Sequence, residues 1–249
     1  MTELPEILLR SPVVAPALEA VSRLGLPDWY VGAGAVAQTV WNDAHGFDPR
    51  HGLKDLDVVY FDPSDLSADG EHRVEDRLAD DLRDLGIELD VTNEARVHTW
   101  YEHRFGVPLA PYESSAAAIA TWPSIAGSIG VRIADETDST DDMDAAQDTD
   151  GTHGMGGGRP RHGVYRCDGL VVCAPFGLDD LFGLIVRPNT VLVTEPVYTA
   201  KAARWAATWP RLTVVPWPGA AADPASEEPA DADLGLGTAA ASGDAALQA

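Results

Sequence analysis

The sequence predicts an α/β protein: a short mixed sheet flanked by helices, followed by a mostly helical C-terminal half. Three observations carry that expectation. Trp29-Tyr30-Val31 reads as a short strand that enters the glycine-spaced turn Gly32-Ala33-Gly34 and continues into a helical pattern. Two further apolar stretches, residues 56–61 (LDVVYF) and 87–91 (IELDV), read as strands carrying acids two residues apart. Helical periodicity lies between them, over residues 71–85.

Taken in order, residues 11–24 alternate apolar and polar positions at near-helical spacing, and a helix should follow the glycine turn over about 35–44. Residues 42–54 (NDAHGFDPRHGLK) have the Gly, Pro and Asp content of a loop. Residues 93–103 turn into a helix carrying aromatics, and a further helix over 114–120 stops near Pro123. Residues 134–163 are acidic and then glycine-rich, too poor in apolar side chains to offset chain entropy, and are expected to be a disordered insert. The fold resumes at 164–174, residues 178–186 (LDDLFGLIV) look like an amphipathic helix ended by Pro188, and Thr194 with Pro196 opens another helix reaching about Thr208. The expected organisation is a core over 1–110, a C-terminal portion of the same unit over 111–218, and a disordered acidic tail over 219–249.

Composition narrows the function. The formal net charge is −23, and each of the two low-complexity stretches holds an excess of acids, yet the remainder is acidic too. That argues against a broad nucleic-acid surface or binding to anionic membrane. With no basic leader and no run of about 18 apolar residues, a cytoplasmic, soluble protein is expected. Cys167 and Cys173 lack the companions a zinc site needs and read as reduced structural thiols. The only lysines are Lys54 and Lys201, candidates for phosphate contacts in a chain that otherwise uses Arg. The seven Trp residues read as core. Ala126-Gly127-Ser128-Ile129-Gly130 lacks the first glycine of a nucleophile elbow.

The chemistry turns on the first acids after the glycine turn. Gly32, Gly34 and Ala37 satisfy the spacing of a dinucleotide-binding loop, and Asp62 closes the following strand as a ribose-binding acid would. But Asp55 and Asp57 open that strand on one face, about 6.6 Å apart along the backbone. Like charges placed so closely call for a cation between them. Glu88 and Asp90 repeat the device on the next strand. Converging carboxylates suit a magnesium-assisted phosphoryl-transfer site better than a nicotinamide site.

At these residues the chain resembles the polymerase-beta-like nucleotidyltransferase superfamily, whose signature is a Gly-Ser or G-x-G turn, an h-D-h-D-h-h strand and a third acid in h-[DE]-h. Within it, the stretches AGAVAQTVWN, KDLDVVYFD, LDVTNEARVHTWYEHRFG, AIATWP, APFGLDDLFGLIVRPN and KAARWAATWPRL resemble a bacterial and archaeal nucleotidyltransferase-like family formerly classed as a domain of unknown function. The resemblance implies a nucleotidyltransferase fold. It further implies Mg²⁺ in a two-metal site held by Asp55, Asp57 and Asp90, with Gly32, Gly34, Lys54 and Lys201 toward the nucleotide. The implied reaction moves a nucleoside monophosphate from a nucleoside triphosphate to a hydroxyl on a small-molecule or protein acceptor, releasing pyrophosphate. Asn93, Arg96 and His98 fall at family-typical positions that either touch substrate or start a helix. Ala33 or Ala35 stands where the superfamily places the turn serine. A catalytically weak nucleotide-binding or regulatory protein of the same fold is the alternative, and a dinucleotide-dependent oxidoreductase is the third.

Overall fold

The computed structural model describes residues 3–135, 138 and 163–219. The expected disordered insert and acidic tail lie almost wholly outside the described residues. Two helices, α1 (Glu3–Arg10) and α2 (Val14–Leu24), precede the first strand, β1 (Tyr30–Gly32), which passes directly into α3 (Ala33–His45). Then come β2 (Asp55–Tyr60), α4 (Ala68–Leu82) and β3 (Glu88–Asn93). The helix expected over 93–103 is instead a 3-10 helix, Glu94–Thr99, followed by the short α5 (Tyr101–Phe105). Asn93 starts it by accepting a hydrogen bond from the Ala95 N–H at 3.2 Å.

The C-terminal half contributes α6 (Ser115–Ile119), β4 (Gly130–Ile133), the hairpin of β5 (Val164–Cys167) and β6 (Leu170–Cys173), α7 (Asp179–Phe182), β7 (Ile185–Val186), α8 (Glu195–Thr208) and β8 (Thr213–Val214). It therefore supplies strands to the sheet as well as the helices expected there. The helix expected over 178–186 ends early, because Leu184 takes a positive φ of 55° and turns the chain into β7. That conformation is uncommon for a branched side chain and is incompatible with a continuing right-handed helix.

The main sheet has the order β3-β2-β1-β4-β6-β5. Only β2 and β3 are parallel, with Asp55 opposite Glu88 and Asp57 opposite Asp90. β1 runs antiparallel to both β2 and β4. This removes the dinucleotide reading of the glycine turn, whose fingerprint needs a parallel βαβ unit around the first strand.

Strand alternation divides the burial. Leu56, Val58 and Tyr60 enter the larger core with Leu18, Val36, Trp41 and Leu78, beneath the layer of α1 to α4. Val59 enters a smaller cluster on the opposite face with Tyr30, Ile119 and Trp122. Asp55 and Asp57 share that second face, as the i, i+2 spacing predicted. No helix among the described residues is long and apolar enough to cross a membrane.

Candidate active site

The passage from β1 into α3 has no connecting loop. Ala33 makes the turn with a φ of 46°, a left-handed conformation that costs a non-glycine residue energy and that clusters at functional turns. Its N–H donates to the Ile129 carbonyl at 2.9 Å. The two glycines do different work. Gly32 is extended, and a methyl group there would meet the Trp122 ring at 2.5 Å, so its smallness serves packing. Gly34 lies in the first turn of α3, where an added Cβ would stand 2.9 Å from Gln38 Nε2 and 3.7 Å from both Asp55 Oδ1 and Asp57 Oδ2. The amino end of a 13-residue helix thus rests on the carboxylate pair.

Asp57 is 2% exposed, and neither of its oxygens has a hydrogen-bond partner. Burial first, then the charges of Asp55 and Asp90, push its carboxyl well above the ordinary carboxylate range, while Lys201 and the adjacent Gly34 amide relieve this only in part. Burial also raises Asp55, against the pull of Arg204 and Lys201. Asp90 is pushed up to about 6, again chiefly by burial, despite the Thr92 hydroxyl at 3.4 Å. Uncompensated carboxylates are costly. A buried acid with two orphaned oxygens is therefore a strong mark of a missing cationic partner.

Two cavities open on either side of Asp55. A small recess of about 30 Å³ is bordered by Gly34, Gln38, Ser124, Lys201 and Arg204. A larger one of about 790 Å³ runs along β3 and the 3-10 helix, past Asp90, Glu94, Trp100 and Tyr112. Asp55, Trp122 and Pro123 border both. The recess side is cationic and the larger side acidic.

The structure thus brings Asp55, Asp57, Asp90, Gly34 and Lys201 into one neighbourhood. Gly32 and Lys54 stand apart. Gly32 lines neither cavity, and Lys54 is exposed, with its carbonyl accepting from the Glu88 N–H at 3.1 Å. Arg204 was missed in the sequence, although its position three residues after Lys201 on a predicted helix puts both cations on one face. Glu94 was missed as well, being hidden at what reads as a helix start. Burial, with Glu71 and Asp90 nearby, pushes its carboxyl up to about 8. Of the family-typical positions, Arg96 lines the larger cavity and pairs with Glu71 at 2.6 Å, Asn93 ties β3 to the 62–65 loop, and His98 lines neither cavity. Ser128 is a buried packing hydroxyl that donates to the Ser124 carbonyl at 2.9 Å.

Among the described residues, no group of three His, Cys, Asp or Glu side chains stands ready to hold a metal ion. The Asp55 and Asp57 pair nevertheless fits Mg²⁺, a hard cation that is bound by one or two carboxylates and takes its remaining oxygens from water and substrate phosphate. Hard oxygen donors, two of them orphaned, are the right chemistry for it.

The fold is thus an α/β one that sets a carboxylate pair under a helix amino end, with Lys201 and Arg204 of α8 beside it. The chain belongs to the nucleotidyltransferase family, whose model matches residues 19–143 and 163–214. No curated protein matches it. Among solved structures it is similar to a protein whose NMR structure is described as revealing a CCA-adding enzyme head domain, at 22% identity and a TM-score of 0.62, over 87% of this chain and 96% of that one. That likeness supports the nucleotidyltransferase fold.

Proposed function

We propose that the protein is a Mg²⁺-dependent nucleotidyltransferase that moves a nucleoside monophosphate from a nucleoside triphosphate to a hydroxyl acceptor. The observation that carries this reading is Asp57, buried with both oxygens unpartnered between Asp55 and Asp90. Asp55 and Asp57 would hold Mg²⁺, with Asp90 beside them, and the ion would supply charge neutralisation at the triphosphate and at the departing oxygen.

The chain's own groups do the rest. Lys201 and Arg204 border a recess of about 30 Å³, too small to enclose a triphosphate, and attract its phosphates toward Asp55, while the amides at the start of α3 offer donors. The acceptor oxygen attacks the α-phosphorus, the bond from that phosphorus to the bridging oxygen breaks, and pyrophosphate leaves. The hydroxyl proton passes to Asp90, whose carboxyl, held at about 6, is matched to proton transfer near neutrality.

The test is calorimetric titration of each nucleoside triphosphate with and without Mg²⁺, comparing wild type with Asp55→Asn/Asp57→Asn. Binding that requires Mg²⁺ and disappears in the variant is expected, with pyrophosphate released once an acceptor is supplied. Binding without pyrophosphate release from any acceptor would favour a regulatory protein lacking the turn hydroxyl. No triphosphate binding at all would end the reading.

A further inference from the structure

The large cavity beside Asp90 has a composition that the phosphate chemistry does not explain. Glu94 borders it, is 3% exposed, and receives no hydrogen bond or ion pair from any described residue. Its neighbour Glu71 shows the contrast. That carboxylate accepts from the Asn93 N–H at 2.8 Å and from the Arg96 guanidinium at 2.6 Å, so one of the cavity's cations is already engaged. Glu75, Glu88 and Asp90 add further negative charge to the same wall, against the single remaining guanidinium of Arg104. An anionic ligand is repelled there, and only a cationic one supplies the partner that lets the buried Glu94 ionise.

We propose that this cavity is the acceptor site and takes a small amine-bearing polyol, cationic at neutral pH, with an ammonium seated against Glu94. The proposal rests on the nucleotidyltransferase reading and names the substrate class of that site. The cavity's volume of about 790 Å³ accommodates a molecule of two sugar-sized rings. Trp100, Tyr112 and Trp122 offer aromatic faces for ring stacking or for a second ammonium. Asp90 and Asp55 border the same cavity as Glu94, so one molecule can offer a hydroxyl to the proposed base and an ammonium to Glu94. Charge thereby distinguishes the two substrates: the phosphates are drawn toward Lys201 and Arg204, and the cation toward Glu94.

The experiment is calorimetric titration of the full chain, without nucleotide and at about 150 mM salt to screen the surface charge. The probes are the β-1,4-linked dimer of glucosamine and cellobiose, the same ring skeleton without amines. The dimer is expected to bind at least tenfold more tightly than cellobiose. Glu94→Gln should weaken the dimer about tenfold and Glu75→Gln about threefold, with Mg²⁺-triphosphate binding unchanged in both. Glu19→Gln and Asp84→Asn, at exposed positions away from the cavity, should match wild type. Equal affinity for the two disaccharides, equal weakening in the exposed controls, or indifference to Glu94→Gln would overturn the proposal. Intact Mg²⁺-triphosphate binding without dimer binding would overturn it while leaving the nucleotidyltransferase reading in place. Loss of both in wild type would sink both.

Discussion

Asp57 is the residue on which stability and the proposed function pull in opposite directions. Its folded-state carboxyl lies well above its ordinary value of 3.8. Above that ordinary value the unfolded chain releases this proton while the folded chain still holds it, so the apo protein loses stability as pH rises toward the folded value. Asp57→Asn removes the ionisation and keeps the shape. The apo variant should therefore melt above wild type at pH 8, by ~2–4 °C for each kcal/mol relieved in a chain of this size, with the gap closing at about pH 4. Adding Mg²⁺ and triphosphate should raise the wild-type midpoint by mass action and leave the variant unmoved. Calorimetric melting at the two pH values reads both effects. A wild type that melts higher than the variant at pH 8 would mean that Asp57 is a satisfied structural acid. The glycines make a second comparison: Gly32→Ala drives a methyl into the Trp122 ring and should cost ~1–3 kcal/mol, whereas Gly34→Ala meets only the flexible end of Gln38, at 2.9 Å, and should cost less while weakening triphosphate binding. Denaturant melts alongside titration would separate them.

At the scale of elements, α8 is what brings cations to the carboxylates, and its docking depends on aromatic residues. Trp205 and Trp209 of the α8 segment meet Trp41 of α3 edge-on, at ring separations of 5.8 and 5.4 Å. The Trp209 indole N–H donates to Asn42 Oδ1 at 2.7 Å, across 167 residues of sequence. Asn42→Ala leaves that indole unsatisfied and should cost ~1–3 kcal/mol, with a parallel loss of triphosphate affinity as α8 loosens. Lys201→Ala/Arg204→Ala should weaken triphosphate binding at least tenfold and change the melting midpoint little; the reverse pattern would make these cations structural. The sequence revealed α8 through Thr194 and Pro196, and revealed the paired acids through their spacing of two in an apolar strand. It could not reveal that β1 runs antiparallel to its neighbours, since strand direction depends on contacts far apart in sequence. Nor could it separate Gly32 from Gly34, because the Trp122 ring that distinguishes them arrives from 90 positions away. Glu94 was hidden for a similar reason: a lone acid at a helix start looks like a favourable dipole partner until the surrounding walls bury it.

For the molecule as a whole, charge decides which acceptors are admissible. The chain carries −23, and the cations that face the carboxylate pair are Lys201 and Arg204, on the recess side only. A polynucleotide acceptor needs a track of Lys and Arg along its phosphates. Here the cavity that extends from Asp90 is lined by six acids against two arginines, of which Arg96 is already paired with Glu71, so phosphates laid along it would meet net repulsion. Fluorescence anisotropy with a labelled RNA of about 20 nucleotides at physiological salt should therefore show affinity weaker than ~10⁻⁴ M, the weak end of nonspecific binding. Lowering the salt should not rescue it, because the long-range field of an acidic protein grows more repulsive as screening falls. Micromolar binding with a steep loss on adding salt would contradict both the charge argument and the placement of the acceptor against Glu94. A flat, weak response would confine the acceptor to molecules small enough to sit inside the acidic cavity and able to neutralise its wall.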